Sequence, residues 1–199
     1  MGYEWVVAKR AVKPSADGIL DAAERVLAEQ PYSEVSLRTL MAAAQVSTTA
    51  FYARFDSKDA VVAALTARLF SDLHQSAPAV LDGARDLESG IERGVELLCE
   101  KFAKRKALVR LILAEAGGSA TAMEARQIEY QLLAAFLVMR FSSLKRVRIA
   151  DPQALAWALI GALEIQIVRW AVWNEIDLST LRAQLIAVAR AILPRPEKS

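Results

Sequence analysis

The chain has 199 residues, an apolar fraction of 54% and a formal net charge of +2, with one Cys and one His. This length suits one compact unit or two small domains, and the apolar fraction supports a substantial core and argues against disorder. One Cys and one His exclude a disulfide framework within the chain and cannot supply a zinc site, so we expect no cofactor. The uncharged apolar run at residues 152–163 is too short to span a bilayer, and the N-terminus lacks a signal-peptide pattern. We therefore expect a cytoplasmic protein with no membrane partner.

Glycine and proline are few and hairpin signals are lacking, so the pattern predicts an all-α protein. Residues 1–14 are predicted to be a flexible basic arm that carries Lys9, Arg10 and Lys13 and ends at Pro14. A first helix is predicted to start at Ser15 or Asp17 and to reach Glu29. Further helices are predicted from 37 and from 48, over 57–77, 87–106, 107–116, 119–142, 152–175 and 178–193.

Residues 36–58 are the most informative segment of the chain. Ser36 and Ser47 are typical helix caps, and the short stretch 45–47 between them predicts a tight turn. In the second of these helices Phe51 and Phe55 are four residues apart and face inward. The opposite face carries short hydroxyls, a Tyr and an Arg, where plain surface would carry Glu and Lys. Such a face suits the major groove, where Thr reaches base edges and Tyr or Arg reaches phosphate.

This segment resembles the TetR family of transcriptional repressors, and the likeness extends over about residues 16–70. Residues 19–29 resemble the first helix of that family, 35–38 the entry to its second, 46–55 its recognition helix and 56–59 the cap of its fourth. The resemblance implies a helix-turn-helix DNA-binding domain at residues 15–75. It also implies a helical effector-binding and dimerisation domain at residues 76–199, joined to the first domain by a long helix.

The expected DNA contacts follow from this resemblance and from the outward-facing positions. They are Lys9, Arg10, Lys13, Ser36, Arg38, Ser47, Thr48, Thr49, Ala50, Tyr52, Ala53, Arg54 and Lys58. The chain departs from the family where Gln45 replaces a common Gly and Ala53 a common His. The two alanines, Ala50 and Ala53, can contact only a thymine methyl group.

The net charge of the N-terminal part of the chain does not support the prediction of DNA binding. Residues 1–76 hold eight Lys or Arg against nine Asp or Glu, a balance of −1. The positions of the basic residues favour DNA binding, because these residues precede the first helix or lie near the turn. The acidic residues of the first helix are expected to point away from DNA.

The last two predicted helices carry apolar rows that favour a homodimer built as a four-helix bundle with a two-fold axis. The predicted interface residues are Leu155, Leu159, Leu163, Ile167, Trp170, Leu181, Leu185, Val188 and Ile192. The alternative is that both helices pack within one monomer.

An effector pocket is expected among the middle helices, with an apolar or aromatic ligand. Its candidate lining residues are Phe102, Leu111, Phe136, Met139, Trp157, Glu164 and Trp173, and the alternative for each apolar one is a place in the core. Glu164 interrupts an apolar stretch, so it either meets a cationic ligand group, pairs with Arg169 or Arg140, or lies at a wet rim.

These observations predict a homodimeric, sequence-specific DNA-binding regulator. By resemblance it is a repressor released from a palindromic operator by a small molecule. The alternative is a helical ligand-binding or adaptor protein without operator binding, which Ala50, Ala53 and the acidic balance would favour. We expect no enzyme, since no Ser-His-Asp or Cys-His arrangement and no phosphate loop occurs in the sequence.

Overall fold

A computed structural model describes residues 15–143 and 149–193. These ranges hold nine α-helices and no strand, which confirms the all-α prediction. The helices are α1 (Ala16–Glu29), α2 (Leu37–Ala44), α3 (Thr48–Tyr52), α4 (Lys58–Asp82), α5 (Leu87–Ala103), α6 (Lys106–Arg110), α7 (Ala120–Ser143), α8 (Pro152–Ala171) and α9 (Leu178–Ile192). A π-helical turn (Leu111–Glu115) and a 3₁₀ turn (Ala116–Gly118) connect α6 to α7.

A serine starts each of the first four helices. Ser15, Ser36, Ser47 and Ser57 each accept a hydrogen bond from the backbone N–H three residues later, over 3.0 to 3.2 Å. Each bond satisfies one of the N–H groups that a helix start leaves unpaired. The predicted starts of α1, α2 and α3 are therefore confirmed by local chemistry.

The N-terminal unit consists of α1, α2, α3 and the first half of α4. Its core side chains Ile19, Leu40, Phe51 and Leu65 are at most 1% exposed. Phe51 also contacts Phe55, with ring centroids 6.0 Å apart. The i, i+4 spacing of these two rings places both in the buried core, as the sequence pattern predicts.

Helix α4 is longer than predicted, because it continues through Pro78 to Asp82. Proline within a helix removes one backbone hydrogen bond and costs about 3 kcal/mol. The helix survives because Ala77 before the proline and Val80 after it pack in one apolar cluster with side chains of α5 and α7. Helix α4 thus extends without a break from the N-terminal unit into the rest of the chain, which we call the body (α5 to α9).

In the body, α8 packs between α7 and α9. Among the described helices, α8 alone has the length and apolar composition of a membrane span, a combination that a core helix also has. Its buried side chains Ala156, Ile160 and Ile167 lie in the same core as α9. Cys99 is buried on α5, where burial raises its thiol pKa to about 11, so it is a packing residue.

Candidate nucleic-acid interface and ligand cavity

The turn between α2 and α3 depends on a left-handed residue. Gln45 has φ 55° and ψ 40°, and its N–H donates to the Ala42 carbonyl oxygen. Val46 N–H then donates to the Met41 carbonyl oxygen over 3.1 Å, which closes the C-terminus of α2. A left-handed conformation is one that glycine adopts freely and other residues adopt at a cost. This geometry explains why a glycine is common at this position in the family that the sequence resembles.

The outward face of α3 is open to solvent. Thr48, Thr49, Ala53 and Arg54 are exposed, and Tyr52 is 48% exposed with its ring edge on Phe51, at a centroid distance of 5.8 Å. Ser36 and Arg38, at the start of α2, are exposed as well, whereas Ala50 is half-buried. The α3 residues form one surface, which we call the α3 face (Thr48, Thr49, Tyr52, Ala53 and Arg54).

Lys58 differs from its predicted role. Its ammonium donates to the carbonyl oxygens of Tyr32 and Val35 over 2.7 and 2.8 Å and lies 4.0 Å from the centre of the Tyr32 ring. The Tyr32 hydroxyl donates to Asp59, and burial followed by this carboxylate raises the pKa of Tyr32. The assignment of Lys58 to DNA is therefore corrected. It fastens the α1–α2 loop to the start of α4, and its three N–H donors have little left for a phosphate.

Two arginines pair with the acidic residues of α1. Arg68 on α4 pairs with Asp21 over 2.6 Å and also with Glu24. Arg105 pairs with Glu24 over 3.3 Å and with Asp72 over 3.1 Å. These acids therefore face α4 and the body, which explains how a negative charge balance is compatible with the exposed basic side chains near the turn. The predicted contacts Lys9, Arg10 and Lys13 lie outside the described residues.

A cavity of about 700 Å³ opens within the body, between α4, α5, α7, α8 and the stretch that follows α6. Predicted lining residues Phe102, Phe136 and Glu164 do border it. The other four do not: Leu111 is fully buried in the core, and Met139, Trp157 and Trp173 are 40% to 59% exposed on the outer surface. The side chains of these four residues suggested that they line the pocket. Each of them instead lies on a side of its helix that does not face the cavity.

The predicted dimer interface also needs correction. Leu159, Ile167, Trp170, Leu181 and Leu185 are at most 5% exposed, because α8 and α9 pack on each other and on the rest of their own protomer. Leu155, Leu163, Val188 and Ile192 are half-buried.

The side of α8 that faces solvent carries a different apolar row. Trp157 and Ile165 are 40% and 44% exposed, and Gly161 lies between them with no atom within 4 Å of where its Cβ would stand. These residues are four apart and share one helix face, which we call the α8 face (Trp157, Gly161 and Ile165). A second exposed apolar row lies on α7 at Ile128, Leu132 and Met139. Sequence analysis missed both rows as surfaces, since α8 is apolar on almost every side.

One segment touches both the cavity and the N-terminal unit. Val109, Ile112 and Leu113 line the cavity. Two residues further on, the Glu115 carboxylate accepts a hydrogen bond from the Tyr32 backbone N–H over 3.0 Å and pairs with Arg110 at the same distance. A displacement of this cavity wall would therefore move the anchor of the α1–α2 loop.

Comparison with known proteins shows that the N-terminal unit is similar to bacterial regulators. Residues 19–65 match the family model of the bacterial regulatory proteins of the tetR family. The chain is 34% identical over 79 residues to the nicotine-responsive transcriptional repressor HdnoR of Paenarthrobacter nicotinovorans, covering 40% of this chain and 41% of that protein. It is 29% identical over 108 residues to the regulator EthR of Mycobacterium tuberculosis, covering 51% and 50%. The matched segments thus span half or less of these curated relatives, both of which are transcriptional regulators.

Solved structures extend the likeness of fold to most of the chain. A TetR-family regulator from Syntrophomonas wolfei superposes with a TM-score of 0.77 at 18% identity, covering 89% of this chain and 93% of that one. The fatty acid degradation regulator FadR from Bacillus halodurans gives 0.70 at 21% identity, covering 90% and 95%. The N-terminal unit thus matches the family model of the tetR regulators, and the described chain shares the fold of solved TetR-family structures.

Proposed function

We propose that this protein is a sequence-specific DNA-binding transcriptional regulator that reads the major groove with the α3 face. The observation that carries the proposal is the solvent-exposed Thr48, Thr49, Tyr52 and Arg54 on a short helix that a left-handed turn at Gln45 holds against α2. Threonine hydroxyls and methyl groups suit base edges, and Tyr52 and Arg54 suit phosphate. Arg38 and the N–H groups at the capped start of α2 add backbone contacts. Such a protein works where DNA is accessible, in the cytoplasm.

The functional unit that we propose is a homodimer that binds a palindromic operator. A helix-turn-helix protein usually binds two half-sites about 34 Å apart, which requires two copies related by a two-fold axis. The α8 face supports this proposal, because it is apolar, exposed and flat at Gly161. A second copy packed on this face would bury Trp157 of each copy.

A small-molecule effector is the third part of the proposal, and repression is its expected outcome, since HdnoR is a nicotine-responsive repressor. The cavity volume of about 700 Å³ lies in the range of ligand pockets. The stretch 109–115 supplies a route from ligand to DNA. A ligand that displaces Ile112 or Leu113 shifts Glu115, which holds the α1–α2 loop through Tyr32. The loop in turn rests on Lys58 at the start of α4.

The experiment that tests DNA recognition is affinity selection from a random double-stranded DNA pool at low salt, followed by sequencing. We expect an enriched palindrome whose half-sites lie about one turn apart. No enrichment by a protein that is folded and dimeric in the same sample would contradict the proposal and favour a ligand-binding or adaptor protein.

A further inference from the structure

Glu164 is a cavity carboxylate with which no arginine of the described residues forms an ion pair. Its ionisable lining residues are Arg85, Asp86, Tyr130, Arg140 and Glu164. Arg140 binds Asp82 over 2.5 Å and the Leu81 carbonyl oxygen over 3.1 Å. Asp86 caps α5 by accepting the Ser89 N–H over 2.8 Å. Glu164 is therefore the cavity carboxylate that remains available to a ligand.

The arginines that sequence analysis offered as partners for Glu164 are engaged elsewhere. Arg169 binds Glu175, Gln166 and Gln184 at 2.9 to 3.0 Å, and Arg140 binds Asp82. Arg126 on α7 donates to the Ile112 carbonyl oxygen over 3.4 Å and lies over the Tyr130 ring, 5.9 Å from its centre. Within residues 15–143 and 149–193 no Lys or Arg lies within ion-pair distance of the Glu164 carboxylate.

Three aromatic rings line the same cavity as this carboxylate. Phe70, Phe102 and Tyr130 all line the cavity, and Phe70 contacts the other two edge-to-face at centroid distances of 6.4 and 5.9 Å. Tyr130 and Glu164 line the same cavity, and burial followed by the charge of Glu164 and a hydrogen bond to it raises the pKa of the Tyr130 hydroxyl. We call Glu164 with these three rings the carboxylate–aromatic cluster.

We infer that the effector is an organic amine, positively charged at neutral pH, whose ammonium pairs with Glu164 and whose apolar or aromatic body fills the rest of the cavity. This inference rests on the proposed role of the cavity as the effector site. A carboxylate among apolar walls is costly unless a cation meets it, and aromatic faces attract the same cation. A ligand with an anionic headgroup would be repelled by Glu164, and a neutral one would leave its charge without a counter-ion.

The test uses three ligands with one skeleton: 3,3-diphenylpropylamine, 3,3-diphenylpropan-1-ol and 3,3-diphenylpropanoate. Their dissociation constants for the full chain are measured by titration calorimetry at pH 7. We expect the amine to bind about tenfold or more tightly than the alcohol, because a charge-assisted pair replaces a neutral contact, and the carboxylate to bind most weakly. In Glu164→Gln we expect the amine and the alcohol to bind within about threefold of each other.

Glu124→Gln is the matched control, since it removes an exposed carboxylate from α7 and should keep the preference for the amine. Binding of the alcohol by Glu164→Gln verifies that the cavity is intact in this variant. If that variant does not fold, the ranking of the three dissociation constants for the wild-type chain decides whether the effector class is an amine. Equal binding of amine and alcohol, tighter binding of the carboxylate, no binding of the amine at millimolar concentration, or a preference that survives in Glu164→Gln would overturn the inference.

DNA selection remains an independent readout. A chain that selects an operator but prefers the carboxylate keeps its proposed function and loses this inference. A chain that prefers the amine but selects no DNA keeps the ligand class and loses the regulator proposal.

Discussion

Substitution of Lys58 by alanine separates a structural role from a DNA contact. The change deletes two charge-assisted hydrogen bonds, to the carbonyl oxygens of Tyr32 and Val35, and the contact with the Tyr32 ring. Hydrogen bonds of charged groups contribute about 1.5–3 kcal/mol each and a cation over a ring about 0.5–1 kcal/mol, and partial exposure of Lys58 reduces both. We expect a loss of about 2 kcal/mol in the free energy of unfolding, a change of roughly 30-fold in the folding equilibrium.

Urea unfolding followed by circular dichroism measures this loss, and the salt dependence of operator binding measures the number of phosphate contacts. Arg54→Ala is the matched variant, because Arg54 is exposed at the end of α3. We expect Arg54→Ala to keep its stability and to reduce the salt slope by about one unit per subunit. Lys58→Ala should lower the stability and leave the salt slope unchanged. A reduced slope with unchanged stability in Lys58→Ala would refute the structural role and restore the phosphate contact.

Four further changes test other parts of the structure. Tyr52→Ala should weaken operator binding by about 1 kcal/mol or more in a gel-shift titration, with Tyr52→Phe showing whether the ring or the hydroxyl matters; unchanged affinity would reject the role. Gly161→Arg should leave the monomer folded, since no atom lies within 4 Å of its Cβ position, but should dissociate the dimer in ultracentrifugation; an intact dimer would place the interface elsewhere. Glu115→Ala should accelerate hydrogen exchange of the Tyr32 amide about tenfold. An unchanged rate would show that the hydrogen bond from Tyr32 N–H to Glu115 does not stabilise the α1–α2 loop. Gln45→Gly should raise the unfolding free energy by about 0.5–1 kcal/mol, and a decrease would show that φ 55° is not strained here.

The N-terminal unit was predictable because its signals are local. Serine caps, a turn residue and an i, i+4 pair of phenylalanines each act within one helical turn. The starts of α1 to α3 and the exposure of Thr48, Thr49 and Tyr52 could therefore be predicted from the sequence. The role of Lys58 could not, since it depends on where the α1–α2 loop passes over α4.

The body was predictable as helices but not as surfaces. Helix α8 is apolar on almost every side, so periodicity does not distinguish the face toward α9 from the face toward solvent. Large size made Trp157 and Trp173 attractive as pocket residues, yet both lie outside. Pro78 illustrates the same limit, because packing of α4 against α7 outweighs a strong local helix breaker. Glu164 was identifiable, since a lone carboxylate in an apolar stretch indicates a special environment.

The central claim, that the α3 face recognises a DNA sequence, is tested most directly by a competition measurement. Fluorescence anisotropy at physiological salt compares the affinity of the wild-type chain for a selected operator with its affinity for a shuffled duplex of equal length and composition. The account predicts a preference of at least about 10³-fold, the lower end for specific DNA-binding proteins. Equal affinity for the two duplexes would contradict it, because phosphate attraction alone would then explain all of the binding.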